Sequence, residues 1–325
     1  MHERENDAQG AHVPVLYNEL LDFLRPVPGG RYLDGTVGLG GHASGVLEAA
    51  GEGAELAGLD RDEEALAECS RRLERFQGKA HLRNLPFSRF EEVLDELGWD
   101  FVDGAYLDLG VSSLQLDKPE RGFSFLYDGP LDMRMDPAGG GQSARDLVNA
   151  ASEDEMKKII GRLGEEPMGG RISRAIIEAR KNKPIETTAE LAEIVSGAYP
   201  AKMRATARRH PATRTFQALR MAVNAELEEL EEFLSKIVER LRPGGRLAII
   251  SFHSLEDRMV KRFFRDMAAS CVCPREQPMC TCKGVPEMKI LTKKPVTAGE
   301  EEVAGNTRSR SAKLRVAERA EGAAA

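Results

Sequence analysis

Residues Arg31 to His42, RYLDGTVGLGGH, constrain this chain more than any other stretch. A short apolar run ends in an acid, Asp34, and a turn carrying Gly35, Gly38, Gly40 and Gly41 follows. Eighteen residues beyond His42 a second apolar run, AELAGLD, ends in another acid, Asp60. This is the outline of a β-loop-α-β nucleotide site. Glycines stand where backbone approaches a ligand, and the second carboxylate stands where ribose hydroxyls would be met.

The pattern of elements extends that frame. Strands are predicted over 31–34, 54–60, 79–84 and 103–109, with helices near 42–50, 62–76 and 89–97. Strands separated by helices imply a parallel sheet with right-handed crossovers. The next strand signal is GRLAIISF, 245–252, after the turn Pro243-Gly244-Gly245. About 135 residues lie between Leu109 and Gly245, more than one crossover helix uses, so a second unit is inserted. Its interior reads helical. Ser152-x-x-Glu155 is a capping box opening a helix that ends at Gly164. Ile172, Ala175, Ile176 and Ala179 share one face of a second helix. Thr187-x-x-Glu190 caps a third, with Leu191, Ile194, Val195 and Ala198 inward and Pro200 ending it. One long amphipathic helix then carries Val223, Leu227, Leu230, Leu234, Ile237 and Leu241 as its buried stripe. A helix over 255–268 and a hairpin of strands 288–291 and 312–316 complete the chain. The expected fold is α/β: a Rossmann-like, mostly parallel sheet over 12–115 and 212–317, an all-α insertion over 116–211, and flexible tails at 1–11 and 318–325.

Composition narrows the class. The 325 residues suggest about two domains. No stretch approaches the roughly 18 to 20 apolar residues that span a bilayer. The opening MHERENDAQGAH lacks the apolar run of a signal peptide, so a cytoplasmic chain without membrane partners is expected. The net charge of −7 argues against a uniformly basic nucleic-acid binder. Yet Arg171 to Arg220 holds eleven Lys/Arg against four Glu, and Arg308 to Arg319 holds five against one. Local patches, not totals, govern phosphate contacts; solvated helix faces account for the same charges equally well. Cys271-x-Cys273-x6-Cys280-x-Cys282 is read either as a metal cluster or as free thiols in a loop. Its C-x-C spacing is not that of a structural zinc knuckle, and no metal ligand set is assigned.

The chemistry-bearing residues follow from position. The turn reads G-x-x-G-x-G-G with an acid before it, not G-x-G-x-x-G. A carboxylate there would repel a pyrophosphate and attract the ammonium and sulfonium of S-adenosylmethionine. The loop has no Lys or Arg of its own to hold phosphate. Asp60 suits a ribose diol and equally a helix N-cap. Phe87 suits adenine packing and equally a core. Asp108 ends the fourth strand, where open sheets place ligands, and Gly110, Ser112, Ser113 and Gln115 follow it. Ser251 to Arg258, SFHSLEDR, brings His253, Glu256, Asp257 and Arg258 to the same edge; Ser254 and Asp257 also fit a helix cap. Arg134 in LDMRMD and Arg214 in HPATRTFQ suit a phosphate, and equally an ion pair.

With these residues in hand, the chain resembles the RsmH (MraW) family of bacterial 16S ribosomal RNA cytosine 4-amino methyltransferases. The resemblance runs from about His12 to Val316, through HVPVLYNEL, YLDGTVGLGGH, LDLGVSSLQLD, RGFSF, LDMRMD, HPATRTFQALR, SFHSLEDR and NTRSRSAKLR. It implies a class I methyltransferase fold with an inserted helical domain. It implies S-adenosylmethionine contacts at Gly40, Gly41, His42, Asp60, Phe87, Asp108 and Gln115. It implies a cytidine of the decoding region as acceptor and 16S ribosomal RNA in the small subunit as partner. The segment Glu165–Arg171, EEPMGGR, is richer in glycine than the family pattern.

Direct displacement at the sulfonium methyl is then expected, catalysed mostly by positioning. The exocyclic amine needs an acceptor for its N–H. The Asp/Asn-Pro-Pro-aromatic loop of many amino-methyltransferases is replaced here by Asp108-Leu109-Gly110-Val111. Asp108, Ser112, Ser113 and His253 are the candidates, with Asp108, Ser113 and His253 taken as catalytic and Arg134, Arg214, Asp257 and Arg258 as substrate-binding. Two rivals stand at this point: a nicotinamide-dependent dehydrogenase, disfavoured by Asp34, and a non-enzymatic RNA-assembly factor that senses the cofactor. The oligomeric state is open, a homodimer included.

Overall fold

A computed structural model describes residues 14–207, 209–270 and 284–321. The four-cysteine cluster and the 1–11 tail lie outside the described residues. A seven-stranded sheet runs in the order β3-β2-β1-β4-β5-β7-β6. Its strands are β1 (Arg31–Asp34), β2 (Glu55–Asp60), β3 (Ala80–Asn84), β4 (Val102–Asp108), β5 (Leu241–Ser251), β6 (Met288–Ile290) and β7 (Lys313–Arg319). The first five pair in parallel; β7 is antiparallel to β5 and to β6. The expected mostly parallel sheet and terminal hairpin are both present.

The helices are α1 (Tyr17–Leu24), α2 (Gly41–Ala50), α3 (Glu63–Arg72), α4 (Phe90–Glu96), α5 (Ser113–Asp117), α6 (Ala144–Ala150), α7 (Glu153–Leu163), α8 (Gly169–Arg180), α9 (Thr188–Ala198), α10 (Ala201–Ala205), α11 (Thr213–Asn224), α12 (Glu226–Ile237), α13 (Ser254–Met267) and α14 (Glu300–Gly305). Among the described residues no helix is long and apolar enough to cross a membrane.

Alternation along the strands builds two cores. Leu33, Ala105, Leu107, Leu247 and Ile249 face one side, with residues of α4, α12 and α13. Tyr32, Tyr106, Ala248 and Ile250 face the other, with residues of α1 and α2. A parallel sheet covered on both faces explains why GRLAIISF reads as an unbroken apolar run. A third core draws on Phe123 to Leu219, including Met156, Ile160, Ile172, Ile176, Leu191 and Val195. Thr187 and Glu190 form the expected reciprocal cap of α9. Ser152 accepts from the Glu155 N–H, half of the expected box.

Two expectations need correction. The single long amphipathic helix is two helices, α11 and α12, broken at Ala225 with φ 49°. Glu226, Glu228 and Glu229 fill the first turn of α12, where acids favour a new helix start. The 318–325 tail begins too early. Strand β7 continues through Arg319, whose buried guanidinium donates to the Glu239 and Leu241 carbonyls.

Candidate active site

The carboxyl edges of β1, β2, β4 and β5 open into a cavity of about 190 Å³. At one end the glycine turn bends back on β2. The Gly38 N–H donates to Asp60 Oδ2 at 2.8 Å and the Asp62 N–H to Oδ1 at 2.9 Å. These bonds fix the Asp60 carboxylate at the cavity wall, and burial pushes its pKa up to about 6. Gly40 adopts φ +76°, and a Cβ there would stand 2.8 Å from Cys69 Sγ of α3. So Gly40 keeps the turn against α3, while Gly41 and His42, opening α2, line the cavity. Phe87 also lines it, and its ring packs edge-on against Phe233 at 5.7 Å. Phe87 therefore meets the cavity on one side and the core on the other.

Asp34 departs from the sequence reading. It is 1% exposed, is not part of the cavity wall, and accepts the Thr36 N–H at 3.1 Å. Burial pushes its carboxyl up to about 7. It braces the turn from behind instead of facing a ligand. The loop's lack of a cation is also altered by tertiary contact, since Arg72 of α3 lines the cavity beside Gly41.

At the centre stands Asp108, on the end of β4. Its Oδ2 lies 3.6 Å from His42 Nε2, and its buried Oδ1 has no partner among the described residues. The Asp108 N–H donates to the Thr36 hydroxyl at 2.6 Å, tying β4 to the glycine turn. Ser112 and Gln115 cap α5 reciprocally, and the Gln115 amide donates to Asp62 Oδ2 at 2.8 Å. Ser113 lines the cavity, and its hydroxyl receives an Arg308 N–H.

The rest of the wall comes from β5 and the break between α11 and α12, where the Asn224 carbonyl accepts from Arg61 at 2.9 Å. Phe252, Glu256, Glu226 and Asn224 line it. Burial pushes the Glu256 carboxyl up, but the His253 side chain beside it, the Arg220 charge and the Phe252 N–H outweigh that and hold the group below its ordinary value. Glu226, His253 and Glu256 offer ligand atoms within 4.8 Å of one another. Arg220 already supplies positive charge there, its Nε and Nη2 donating to the two Glu226 oxygens at 2.7 Å.

The sequence comparisons bear on what such a cavity does. The model of the MraW methylase family matches residues 9–320. The chain belongs to the MraW methylase family. It is 58% identical to a protein of Oleidesulfovibrio alaskensis over 98% of both chains, and 61% identical to one of Maridesulfovibrio salexigens over 95% of both. It is 62% identical to one of Nitratidesulfovibrio vulgaris, again over 95% of each. Each of these relatives is named ribosomal RNA small subunit methyltransferase H.

In this MraW methylase the other sequence-derived residues lie outside the cavity wall. His253 caps α13 and stands 3.0 Å from Glu256, which takes the place in the wall. Asp257 pairs with Arg315 at 2.7 Å. Arg134 is bound to Asp132 at 2.7 Å. Arg258 pairs with Glu165 at 2.9 Å, and Arg214 donates to the Glu165 carbonyl at 3.2 Å. Glu165 belongs to the glycine-rich segment noted above, and it ties the third core to α13.

Three residues escaped sequence reasoning. Arg121 forms a buried pair with Asp62 at 2.9 Å and donates to the Arg134 and Met135 carbonyls. Asn224 donates to the Met133 carbonyl and accepts the Met135 N–H, both at 2.8 Å. Arg308 reaches from the C-terminal segment to Ser113 and Asp117. For Asn224 a signal existed: a polar residue on the apolar stripe, just before an acidic first turn.

Proposed function

We propose that this methylase transfers a methyl group from S-adenosylmethionine to the exocyclic 4-amino group of a cytidine in the decoding region of 16S ribosomal RNA, with the small ribosomal subunit as its partner. The relatives' shared name supports the class of RNA. The observation that carries the chemistry is Asp108, whose Oδ1 has no partner among the described residues, at the middle of one cavity.

The residues fit the donor. Asp60 offers its remaining lone pairs to a ribose diol, and Phe87 flanks the adenine end. A Cβ at Gly35 would stand 2.4 Å from Leu107 and 2.9 Å from Phe87, so only a bare backbone lets the turn pack this closely on both. Gly40, Gly41, His42 and Gln115 complete the contacts assigned to the donor, Gly40 and Gln115 by shaping the wall. Bound S-adenosylmethionine supplies an electrophilic methyl carbon whose sulfur leaves as a neutral thioether.

The chain's own work lies on the acceptor side. The cytosine amine is a weak nucleophile because its lone pair is delocalised into the ring. Asp108 accepts an amine N–H, returns electron density to nitrogen and takes or relays the proton as the new N–C bond forms. Ser113, held by Arg308, closes the wall beside it. His253 acts through Glu256 as a positioning residue. The basic stretch 171–220 and Arg134, Arg214 and Arg258 meet RNA phosphates around the cavity mouth. A base in a duplex must be extruded to enter.

The test supplies tritiated methyl donor with small subunits or naked RNA from a strain lacking the enzyme, followed by nucleoside mass spectrometry. N4-methylcytidine is the expected product. A methylated ring carbon, or label only in protein, overturns the proposal.

A further inference from the structure

At the Asp60 end of the cavity the wall consists of Asp60, Arg61, Pro86, Phe87 and Glu229. Both Asp60 oxygens already receive backbone N–H groups. The turn after β3, Leu85-Pro86-Phe87, carries no acceptor side chain, and Asn84, whose amide N–H donates to the Asp60 carbonyl at 3.0 Å, is not part of the cavity wall. An adenine bound here presents an amine, N6–H2, which needs an acceptor other than the Asp60 carboxylate that the ribose diol takes up.

Glu229 offers one. It lies on α12 one turn before Phe233, on the same helix face, and Phe233 is the residue against which Phe87 packs. Glu229 Oε1 pairs with Arg61 at 3.0 Å, and its Oε2 is buried without a partner among the described residues. Arg61 in turn donates to the Asn224 carbonyl at 2.9 Å, so the pair is held to the helix break. We infer that Glu229 is the residue that selects the adenine of the donor, its Oε2 accepting the N6–H. A 6-oxo purine would bring an acceptor against this carboxylate and be rejected. The inference rests on S-adenosylmethionine being the donor bound in this cavity.

Calorimetry with S-adenosylhomocysteine and its 6-oxo analogue, S-inosylhomocysteine, tests this on the full chain. The wild type is expected to prefer the adenosyl form by roughly tenfold to a hundredfold, as for a hydrogen bond to a charged group. In Glu229→Gln, Arg61 holds the amide oxygen, so the amide N–H2 turns toward the base and the preference falls to unity or reverses. Glu229→Ala removes the acceptor and brings the ratio to about one. A wild type that binds both ligands equally overturns the assignment. So does a variant in which both affinities fall together with the ratio unchanged, because that is what a merely structural ion pair would do. A wild type that binds neither ligand counts against the donor itself, a different failure.

Discussion

At the glycine-turn end of the cavity, decisive groups lie near one another along the chain or at equivalent strand ends. Asp60 is held by Gly38 and Asp62, and Asp34 braces Thr36 from two residues away. Along the rest of the wall, from Asp108 to the helix break, the partners are distant. Asn224 reaches Met133 and Met135 across 91 and 89 positions, and Arg308 reaches Ser113 across 195. The first end is a set of β-to-α turns whose geometry is local. The second exists only once the segment after β4 has folded back onto the break between α11 and α12. Under the proposed function the first holds the methyl donor and the second the acceptor, so the two should fail differently when perturbed.

The sharpest break is at their junction. Asp108→Ala should lower methyl incorporation by on the order of 10²- to 10⁴-fold, the range of a lost acid-base group. Affinity for S-adenosylhomocysteine, read by calorimetry, should change much less. A parallel collapse of that affinity would assign Asp108 to the donor end alone. Next, Arg121→Ala leaves the buried Asp62 without its counter-ion, held only by the Gln115 amide and the Glu64 N–H, and uncouples the segment before α6 from α3. Urea denaturation should show a loss of about 3–5 kcal/mol, as for other broken buried pairs. A loss below about 1 kcal/mol would show that the two ends are held independently.

A third test isolates the donor end. The Asp34 carboxyl sits at about 7, above its ordinary 3.8, because it is buried. Between these values the folded state holds a proton that the unfolded state has released. Stability from this group is therefore present at low pH and falls as pH rises through that window, then levels off. The change is on the order of 4 kcal/mol at most. Asp34→Asn should remove that slope when the two proteins are unfolded in urea from pH 4 to 8. Identical slopes would show that Asp34 is ionised and relieved by its surroundings. The smallest effect is expected from Arg214→Ala, whose side chain is 55% exposed. Stability should move by less than about 0.5 kcal/mol. RNA affinity should fall and its salt dependence ease by about one charge. An unchanged salt slope would remove Arg214 from the RNA-contacting surface.

The glycine turn and many of the helix starts were legible because their signals are short-range. Strand ends, the glycine turn, the caps of α7 and α9 and the positions of Asp60 and Asp108 all follow from spacing along a few residues. The helix break at Ala225 was missed because the apolar stripe continues in register through it and masks the acidic first turn of α12. His253 was read as a cavity residue because it follows β5. In the fold its ring turns back to cap α13 and Glu256 takes the wall position. Asp34 was read as facing the ligand because it precedes the glycines; the turn folds over it instead.

The sequence by itself determined the order of strands and helices, the glycine turn, the two strand-end acids and the family. These depend on backbone conformation and apolar periodicity, which neighbouring residues set. Only the tertiary structure decided which polar groups share a partner. Buried donors and acceptors must be satisfied wherever the chain brings one within reach. Asp62 therefore collects Gln115 and Arg121, and Asn224 collects the backbone of Met133 and Met135. Spacing does not encode those choices; they follow from which surfaces the packed cores press together.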